Sequence, residues 1–458
     1  MDLKNDCYYM SPNCLERFHM NENGFSDASE KFADIVYADD YEMLMKDILQ
    51  IKQGEKDFHN IQYRWLGKNC EPIWINCRGR GLDYGDMILR KTAECIRTLI
   101  SPAQKLYRVV ADEFSVVDLN GGTVSEAENL YNEIRRKINQ FIEENHYEVF
   151  YTISAGILDF ESVENQDFFN LMKLSEFALS EAKNNGRNRS YLYNEEDYKI
   201  FQHKKKLVQS MRKAVNHNFE GFEAYFQPIV DINEKRLFSA ETLLRFRSEE
   251  TGMISPVEFI PLLEESGLII PVGRWVLDQA MKACSRIQKQ IPNFHISVNL
   301  SYIQIMKSNV LEDILEGIRK YDLKEGSILI ELTESGFLES NAYFIGFCEG
   351  LKNNGIPLAL DDFGTGYSNF HYLYNINPNT IKIDRSFTSK ALKNDYEYQL
   401  LHHMVDMIHS IDSKLCIEGI ETKQELNKIC QMGPDYIQGY YFGKPCPLED
   451  FMRDFVNK

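Results

Sequence analysis

Short apolar runs alternate with longer amphipathic segments through the second half of this chain. The eight runs after residue 221 read FEAYFQPIV, LFSAETLLRF, FHISVNL, SILIELT, PLALDDF, TIKID, KLCIEGI and DYIQGYYF. Continuous apolar runs of this length are typical of strands buried in a parallel sheet. The segments between them include helical patterns such as RWVLDQAMKACSRIQKQ and YFIGFCEGLKNNG, the second of which ends at Gly355. Eight strands alternating with helices over about 235 residues predict a (β/α)8 barrel of the TIM type.

Polar side chains follow most of these apolar runs. They are Glu241, Asn299, Glu331, Glu334, Asp361, Asp362, Lys382, Glu418, Glu421 and Gln438. The carboxyl ends of barrel strands meet at one mouth, where such folds do their chemistry. Several carboxylates at one mouth would repel one another unless divalent cations held them together. The pattern therefore predicts a metal-dependent enzyme, and an all-oxygen ligand set without His or Cys favours Mg²⁺ or Mn²⁺ over zinc.

The first half of the chain shows shorter patterns. FHNIQYRWLGKNCEPIWINCRGR has strand-like alternation on both sides of Gly67-Lys68-Asn69, which predicts a hairpin. Residues 197–221 predict an amphipathic connecting helix, and its basic run of residues 203–206 is best explained as a solvated face. The α/β chain is therefore expected to divide into segments 1–80, 81–196, 197–221 and 222–458.

Composition narrows the classes of function. The 458 residues suggest about three domains, and a hydrophobic content of 43% is enough for packed cores. A net charge of −18 argues against a nucleic-acid polymer as partner, although bound cations would still allow a small phosphorylated substrate. The N-terminus lacks a signal-peptide pattern, and no run approaches the ~18 apolar residues of a membrane span. We expect a cytoplasmic protein without membrane insertion.

Residues 222–452 resemble the EAL family of cyclic-di-GMP phosphodiesterases. The motif that names the family stands here as Glu241-Thr242-Leu243, with Thr where Ala is usual. The resemblance implies hydrolysis of cyclic-di-GMP to linear pGpG with two Mg²⁺ or Mn²⁺ ions per active site. It also implies a homodimer that forms through the barrel.

The same resemblance implies a role for individual residues. The metal ligands would be Glu241, Asn299, Glu331, Asp361, Asp362 and Glu421. Glu418 would orient or deprotonate the attacking water, and Lys382 would stand beside the developing charge. The substrate site would include Gln227, Leu243, Arg245, Asp384 and Gln438. Residues 362–368 resemble a mobile loop in which Gly364 and Gly366 allow switching and which Glu334 holds. For Lys382 and Arg245, an ordinary structural role is the alternative.

Residues 81–196 resemble a GGDEF (diguanylate cyclase) domain through DYGDMILRKTAECI, YRVVADEFSVV, YTISAGILDF and SEFALSEAKNNGRNRSYLYN. The signature hairpin reads Val110-Ala111-Asp112-Glu113-Phe114, so it has lost both glycines that let a backbone approach a nucleotide closely. The first strand and helix of such a domain also lack counterparts. We expect no cyclase activity. The domain either binds GTP or acts as a spacer, and we favour the spacer.

Residues 1–80 resemble the C-terminal half of a PAS sensory domain. The alternative is a small α+β cap with no ligand, and no His or Cys is placed to argue for haem or flavin. For the whole chain, we expect a phosphodiesterase regulated by its N-terminal half. The alternative is a catalytically silent cyclic-di-GMP receptor. Retention of every charged motif member favours the enzyme, and a scaffold with no nucleotide role would leave those residues unexplained.

Overall fold

The structure is a computed structural model that describes residues 8–9, 18, 24–25, 28–53, 58–67, 71–80, 82–144, 151–333, 342–364 and 376–457. Contacts within the chain divide it into two compact units, Met1–Tyr198 and Lys199–Lys458. Among the described helices, none combines the length and the apolar character that crossing a membrane would require.

The first unit contains paired strands and five α-helices that lie wholly within its described part. The strands are β1 (Tyr8–Tyr9), β2 (Gly24–Phe25), β3 (Phe58–Leu66), β4 (Pro72–Arg80), β5 (Gln104–Val110), β6 (Glu113–Asp118), β7 (Ala155–Ile157) and β8 (Ser190–Leu192). The helices are α1 (Ala28–Ile35), α2 (Ala38–Lys52), α3 (Leu82–Leu99), α4 (Val124–Glu144) and α5 (Phe168–Asn184). Only β7 and β8 pair in parallel; the other described pairs, β1–β2, β3–β4 and β5–β6, are antiparallel.

The hairpin predicted around residues 67–69 is present as β3 and β4. One face of it packs on α1 and α2, where Phe32, Leu44, Tyr63 and Trp65 form a small separate core. Helix α3 begins at Leu82, directly after β4 ends at Arg80, so no further strand or helix lies between these two elements. This order matches the predicted loss of the first strand and helix of the GGDEF-like domain.

Helix α6 (Glu195–Asn216) contains the boundary between the two units. The sequence predicted a helix over 197–221, but the helix ends earlier, because residues 217–221 turn and Asn218 and Phe219 adopt left-handed backbone angles. Its C-terminal half is also more than a connection. Leu207, Met211 and Ala214, spaced at helical intervals, are buried in the core of the second unit.

The second unit is an eight-stranded closed barrel, as predicted. Its strands are β9 (Phe222–Asp231), β10 (Arg236–Ser248), β12 (His295–Asn299), β13 (Ile328–Thr333), β14 (Leu358–Phe363), β15 (Thr380–Ile383), β16 (Lys414–Ile417) and β17 (Tyr436–Gln438), with short extensions β11 (Gly252–Ile254) and β18 (Cys446–Pro447). Its helices are α7 (Pro256–Ser266), α8 (Ile269–Gln288), α9 (Tyr302–Lys307), α10 (Val310–Lys320), α11 (Ala342–Asn353), α12 (Arg385–Ala391), α13 (Asp395–Ser410), α14 (Lys423–Cys430) and α15 (Leu448–Phe451). The apolar faces of strands and helices meet in one core.

The barrel is not parallel throughout, which corrects the sequence prediction. Strand β9 runs antiparallel to both of its neighbours, β10 and β17. The four residues between β9 and β10, 232–235, are all described and form a turn. A parallel connection needs a dozen or more residues, so these four permit only a hairpin. The reversal places the first residues of β9 at the mouth where the other strands end, and it pairs Gln227 with Glu241.

Candidate active site

Three carboxylates converge inside the barrel mouth. Glu241 on β10, Glu331 on β13 and Asp361 on β14 are buried, and one carboxylate oxygen from each lies within 4.8 Å of the others. The strand register produces this meeting, since neighbouring barrel strands are staggered and Asn299 pairs with Glu331 while Thr333 pairs with Asp361. The convergence predicted from the sequence is therefore present for these three residues.

The ammonium of Lys382 lies among the carboxylates. Its Nζ is 2.9 Å from Glu331, 3.2 Å from Glu241 and 3.4 Å from Asp361. It is 2.7 Å from a fourth carboxylate, that of Glu418, and the lysine is only 2% exposed. Burial by itself would lower the pKa of Lys382, but the four carboxylates outweigh it and raise the pKa well above the usual value. The lysine is therefore held in its charged form.

The pKa values of the carboxylates shift in different directions in this environment. Burial would raise the pKa of Glu241, but the Lys382 charge and amide hydrogen bonds outweigh it and lower the pKa. Burial and the neighbouring Glu241 raise the pKa of Glu331 well above the usual range, and the same two causes raise that of Asp361. One ammonium thus does not balance the negative charge that would be present if all of these groups were ionised.

Glu418, which directly follows β16, forms the lysine–glutamate pair that the sequence predicted. Its backbone N–H donates to the carbonyl of Ile383 at 3.1 Å, which fixes it beside the end of β15. Burial raises the pKa of Glu418 to about 8, although Lys382 opposes the shift. A carboxyl group with such a pKa exchanges its proton with water near neutral pH.

Asp362 is positioned by an irregularity in strand β14. The register between β14 and β15 shifts between Leu360 and Phe363, and Asp362 has a left-handed φ of 57°. In a regular strand Asp361 and Asp362 would point to opposite faces, whereas a bulge re-aims the side chain. Burial, followed by the charges of Asp361 and Asp384, raises the pKa of Asp362 to about 6.

Amide side chains complete the inner contacts. Asn299 Nδ2 donates to Glu241 Oε1 at 2.7 Å, and Gln438 Nε2 donates to Glu241 Oε2 at 2.6 Å. Gln438 also donates to Gln227 Oε1 at 3.1 Å, and Gln227 donates to the Gly443 carbonyl at 3.3 Å. The antiparallel β9 thus brings Gln227 to the predicted site.

The residues present fit a divalent metal ion. The donors are carboxylate and amide oxygens, which hard cations prefer. The buried Oε1 of Gln438 has no hydrogen-bond partner within the described chain. Burial, followed by the charge of Glu241, raises the pKa values of Glu331 and Asp361, and a bound cation would favour their charged forms. Glu241, Glu331 and Asp361 could therefore hold a metal ion, with Asn299 and Asp362 beside them.

Other predicted residues lie at the rim of the barrel. Glu421, predicted as a metal ligand, is 39% exposed and forms an ion pair with Arg385 at 2.6 Å. Asp384 caps α12 by accepting a hydrogen bond from the Ser386 N–H at 2.7 Å. Sequence reasoning did not select Arg385, whose only signal is its place directly after Asp384.

The remaining predicted residues are the substrate residues Leu243 and Arg245, which lie on β10, and the loop-control residues Glu334, Gly364 and Gly366. Arg245 is half-buried and donates to the Leu244 carbonyl at 2.9 Å, while its guanidinium lies 5.6 Å from the Tyr225 ring centre. Leu243 pairs across the hairpin with Tyr225. Gly364 has a left-handed φ of 95°, whereas Glu334 and Gly366 lie outside the described residues.

The GGDEF-like hairpin turns between Val110 and Glu113. Ala111 adopts a left-handed φ of 45°, a conformation that favours the missing glycine. Arg108 donates from Nε and Nη2 to the Ala111 carbonyl at 2.9 and 2.7 Å, and Glu113 pairs with Lys183 at 3.3 Å. Arg108, which belongs to the same hairpin, thus closes the turn. The turn lies within the signature residues Val110-Ala111-Asp112-Glu113-Phe114.

Comparison with protein-family models finds three matches. The EAL domain matches residues 208–445, just over half of the chain. The family described as diguanylate cyclase, GGDEF domain, matches residues 78–189, and the PAS fold matches residues 8–90. The three resemblances inferred from the motifs are confirmed.

Individual relatives agree with these matches. The chain is similar to the bifunctional diguanylate cyclase/cyclic di-GMP phosphodiesterase MucR of Pseudomonas aeruginosa, with 27% identity over 376 residues that cover 81% of this chain and 54% of that protein. It is similar to the probable cyclic di-GMP phosphodiesterase PdeG of Escherichia coli, with 31% identity over 249 residues, 54% of this chain and 49% of that protein. The chain spans about half the length of these curated relatives.

A solved structure supports the barrel assignment. The PaMucR phosphodiesterase in complex with c-di-GMP is 28% identical to this chain and superposes with a TM-score of 0.51. The match covers 54% of this chain and 99% of that one. The eight-stranded barrel predicted from the apolar runs is confirmed.

Proposed function

This chain belongs to the EAL domain family, and from that premise we propose that it hydrolyses cyclic-di-GMP to linear pGpG with Mg²⁺ or Mn²⁺. The observation that carries the proposal is the buried cluster of Glu241, Glu331 and Asp361 around Lys382. Burying several carboxylates together is costly unless positive charge compensates them. A catalytic site with bound cations accounts for that cost, whereas a purely structural barrel core does not need it.

The proposed metal ligands are Glu241, Asn299, Glu331, Asp361 and Asp362, with Glu421 available if its pair with Arg385 opens. Two bound divalent cations would stabilise charge on the phosphate and lower the pKa of the attacking water. Gln438 and Asn299 hold the Glu241 carboxylate in place through both of its oxygens. They act as positioning residues in this proposal.

Glu418 is the proposed proton acceptor. Its carboxylate takes a proton from water as the water oxygen bonds to phosphorus. The bond from phosphorus to the 3′-oxygen breaks, and that oxygen takes a proton from solvent, which leaves a 5′-phosphate on the linear product. Lys382, 2.7 Å from Glu418, keeps positive charge beside the reacting groups. We assign substrate contacts to Gln227, Leu243, Arg245 and Asp384.

The N-terminal unit has a proposed regulatory role. We propose that segments 1–80 and 81–196 regulate the barrel of 222–458, that the GGDEF-like domain acts as a spacer without cyclase activity, and that two copies associate through their barrels. The Arg108–Ala111 hydrogen bonds support loss of nucleotide binding at the hairpin. They occupy the Arg108 guanidinium and the Ala111 carbonyl within the turn, so these groups do not face a nucleotide.

A hydrolysis assay tests the proposed activity. Full-length protein with Mn²⁺ should convert cyclic-di-GMP to pGpG, equally with and without GTP. Glu241→Ala should lower turnover by at least 100-fold, an order of magnitude expected for loss of a group that stabilises the transition state. The control Glu316→Ala, at an exposed helix position, should keep full activity. Tight binding of cyclic-di-GMP without turnover by the wild type would instead indicate the receptor, and full activity of Glu241→Ala would refute the site.

A further inference from the structure

The barrel interior contains a second chamber beneath the candidate active site. It is a cavity of about 770 Å³ at the end of the barrel where the parallel strands begin. Its inner wall includes Ser239, Ser297, Leu329, Ala359, Thr380 and Cys416. Each of these residues precedes by two positions a side chain of the candidate active site. Residues two apart on a strand share a face, so this layer also points into the barrel.

The chamber exists because this layer is built from small side chains. TIM-type barrels are ordinarily filled by layers of bulky side chains, so the interior is a packed core. Here Ser, Ala, Thr and Cys occupy most positions of one layer, and the inward-facing Leu329 remains partly exposed. Large voids are rare in protein interiors, whereas the volume falls in the range of about 300–1,000 Å³ that is typical of small-molecule sites.

Three neighbouring rings, of which two are stacked, form one wall of the chamber. Phe238 stacks on Tyr436 with ring centres 4.1 Å apart and planes within 14°. His295 lies on the same phenyl ring at 5.1 Å, and its Nδ1 is 2.7 Å from the Gly326 carbonyl. The lining also contains Ile229, Leu329 and small hydroxyl residues, so the chamber offers apolar surface together with hydrogen-bonding groups.

The charges around the chamber disfavour an ionic ligand. Its rim carries Lys352 and Lys414 together with Glu325 and Asp412, so the two signs balance. Lys414 is already paired with Asp435 at 2.8 Å, and at the inner end Lys382 is surrounded by four carboxylates. A charged ligand would therefore lose hydration without gaining a strong counter-charge.

We propose that this chamber, whose inner end shares Glu331 and Lys382 with the candidate active site, is a second binding site for a small neutral heteroaromatic molecule. The ligand's ring packs on the side chain of Leu329 and against the edge of the Phe238 ring, whose faces are covered by Tyr436 and His295. Its N–H or O–H group bonds to the hydroxyl of Ser297 or Thr380 at the inner end. Aromatic packing of this kind and one hydrogen bond are the interactions that the lining supplies.

Indole is a suitable probe, because it is compact, neutral and carries one N–H donor. Calorimetric titration of the full-length protein, without metal or cyclic dinucleotide, should show saturable binding with a dissociation constant of about 1 mM or tighter. Benzoate and benzylammonium should bind at least tenfold more weakly. Since no hydrolysis is measured, failure here and failure of the proposed activity are distinguishable.

A variant locates the binding. Leu329→Trp fills the chamber from its partly exposed wall and should weaken indole binding at least tenfold, while Leu329→Met, of similar volume, should leave it unchanged. Absence of saturable binding to the wild type, or equal affinity of a folded Leu329→Trp protein, overturns the proposal. If Leu329→Trp does not fold, the charge comparison in the wild type decides, because equal affinity for the charged probes also overturns it.

Discussion

At the residue scale, the carboxylate cluster of the candidate active site depends on one buried lysine. Lys382 contacts Glu241, Glu331, Asp361 and Glu418, all within 3.4 Å. The net value of a buried ion pair is small because desolvation opposes attraction, but removal of one partner is costly. The lysine therefore compensates charge that the barrel would otherwise bury unpaired.

We predict that Lys382→Met destabilises the metal-free barrel at pH 8 by about 3 kcal/mol, since four carboxylates lose their counter-charge. The loss should shrink toward pH 5, because carboxylates whose pKa values are raised in the folded state take up protons there. The raised pKa of Lys382 keeps the wild-type lysine charged over this range. Urea unfolding at both pH values measures the effect, with exposed Lys390→Met as control. Equal stability of Lys382→Met and wild type at pH 8 would contradict it.

Thr242, the departure from the usual alanine in the name motif, carries a buried hydroxyl with no hydrogen-bond partner in the described part of the chain. Thr242→Val should therefore raise the free energy of unfolding by about 1 kcal/mol, because it removes an unsatisfied polar group without changing shape. Thr388→Val is a matched control with the opposite sign. Thr388 is equally buried but donates to the Asp384 carbonyl at 3.1 Å. Denaturation midpoints that move in the same direction for both variants would refute this account.

At the element scale, the barrel closes through the reversed strand β9. Asp435, just before β17, links three elements near that closure. Its carboxylate accepts from the Leu415 N–H at 2.9 Å and contacts Lys414 and His409, while its carbonyl accepts from the Ile232 N–H at 3.1 Å. Burial would raise the pKa of Asp435, but these contacts lower it.

Asp435→Asn should accordingly cost about 1.5–3 kcal/mol at pH 7, the range for a hydrogen bond to a charged group. A pKa lowered in the folded state gives stability that is present above the unfolded pKa of about 4 and is lost as pH falls below it. The difference between wild type and Asp435→Asn should therefore close below about pH 4. Urea midpoints from pH 3 to 7 measure this. Asp406→Asn, 68% exposed, is the control, and a difference that widens in acid would be contrary to expectation.

At the scale of the whole molecule, the chain consists of two units with separate cores. A ligand raises the free energy of unfolding of the unit that binds it. The increase grows with the logarithm of the ratio between the ligand concentration and the dissociation constant. The proposed metal site lies wholly in the second unit, whereas the degenerate hairpin lies in the first.

Calorimetry of the full chain should thus show two unfolding transitions, one for each unit. Mn²⁺ at 100 times its dissociation constant should raise the midpoint temperature of one of them, that of the second unit, by about 5–10 °C. GTP should shift neither transition if the GGDEF-like domain is a spacer. Glu331→Gln should remove most of the Mn²⁺ effect, since it removes a carboxylate of the cluster. An undiminished shift in that variant would place the metal elsewhere, and a GTP-dependent shift would show that the hairpin unit still binds nucleotide.

The sequence by itself determined which residues form the barrel strands and that Glu241, Glu331, Asp361, Lys382 and Glu418 meet at one mouth, because apolar runs and the polar residues after them are local patterns. It also identified the damaged hairpin at Val110-Ala111. The roles assigned to individual residues, the domain boundaries and the dimer stay predictions. The short loop between β9 and β10 already implied an antiparallel pair, although the sequence analysis interpreted all eight apolar runs as strands of a parallel sheet.

Only the tertiary structure decided the remaining features. The bulge that re-aims Asp362, the contacts of Lys382 with four carboxylates and the pairing of Glu421 with Arg385 all join residues that are distant in sequence or depend on strand register. The chamber beneath the candidate site likewise appears only when the small side chains of several strands share one layer. Closure of the barrel fixes register and stagger together, and no local pattern contains that information.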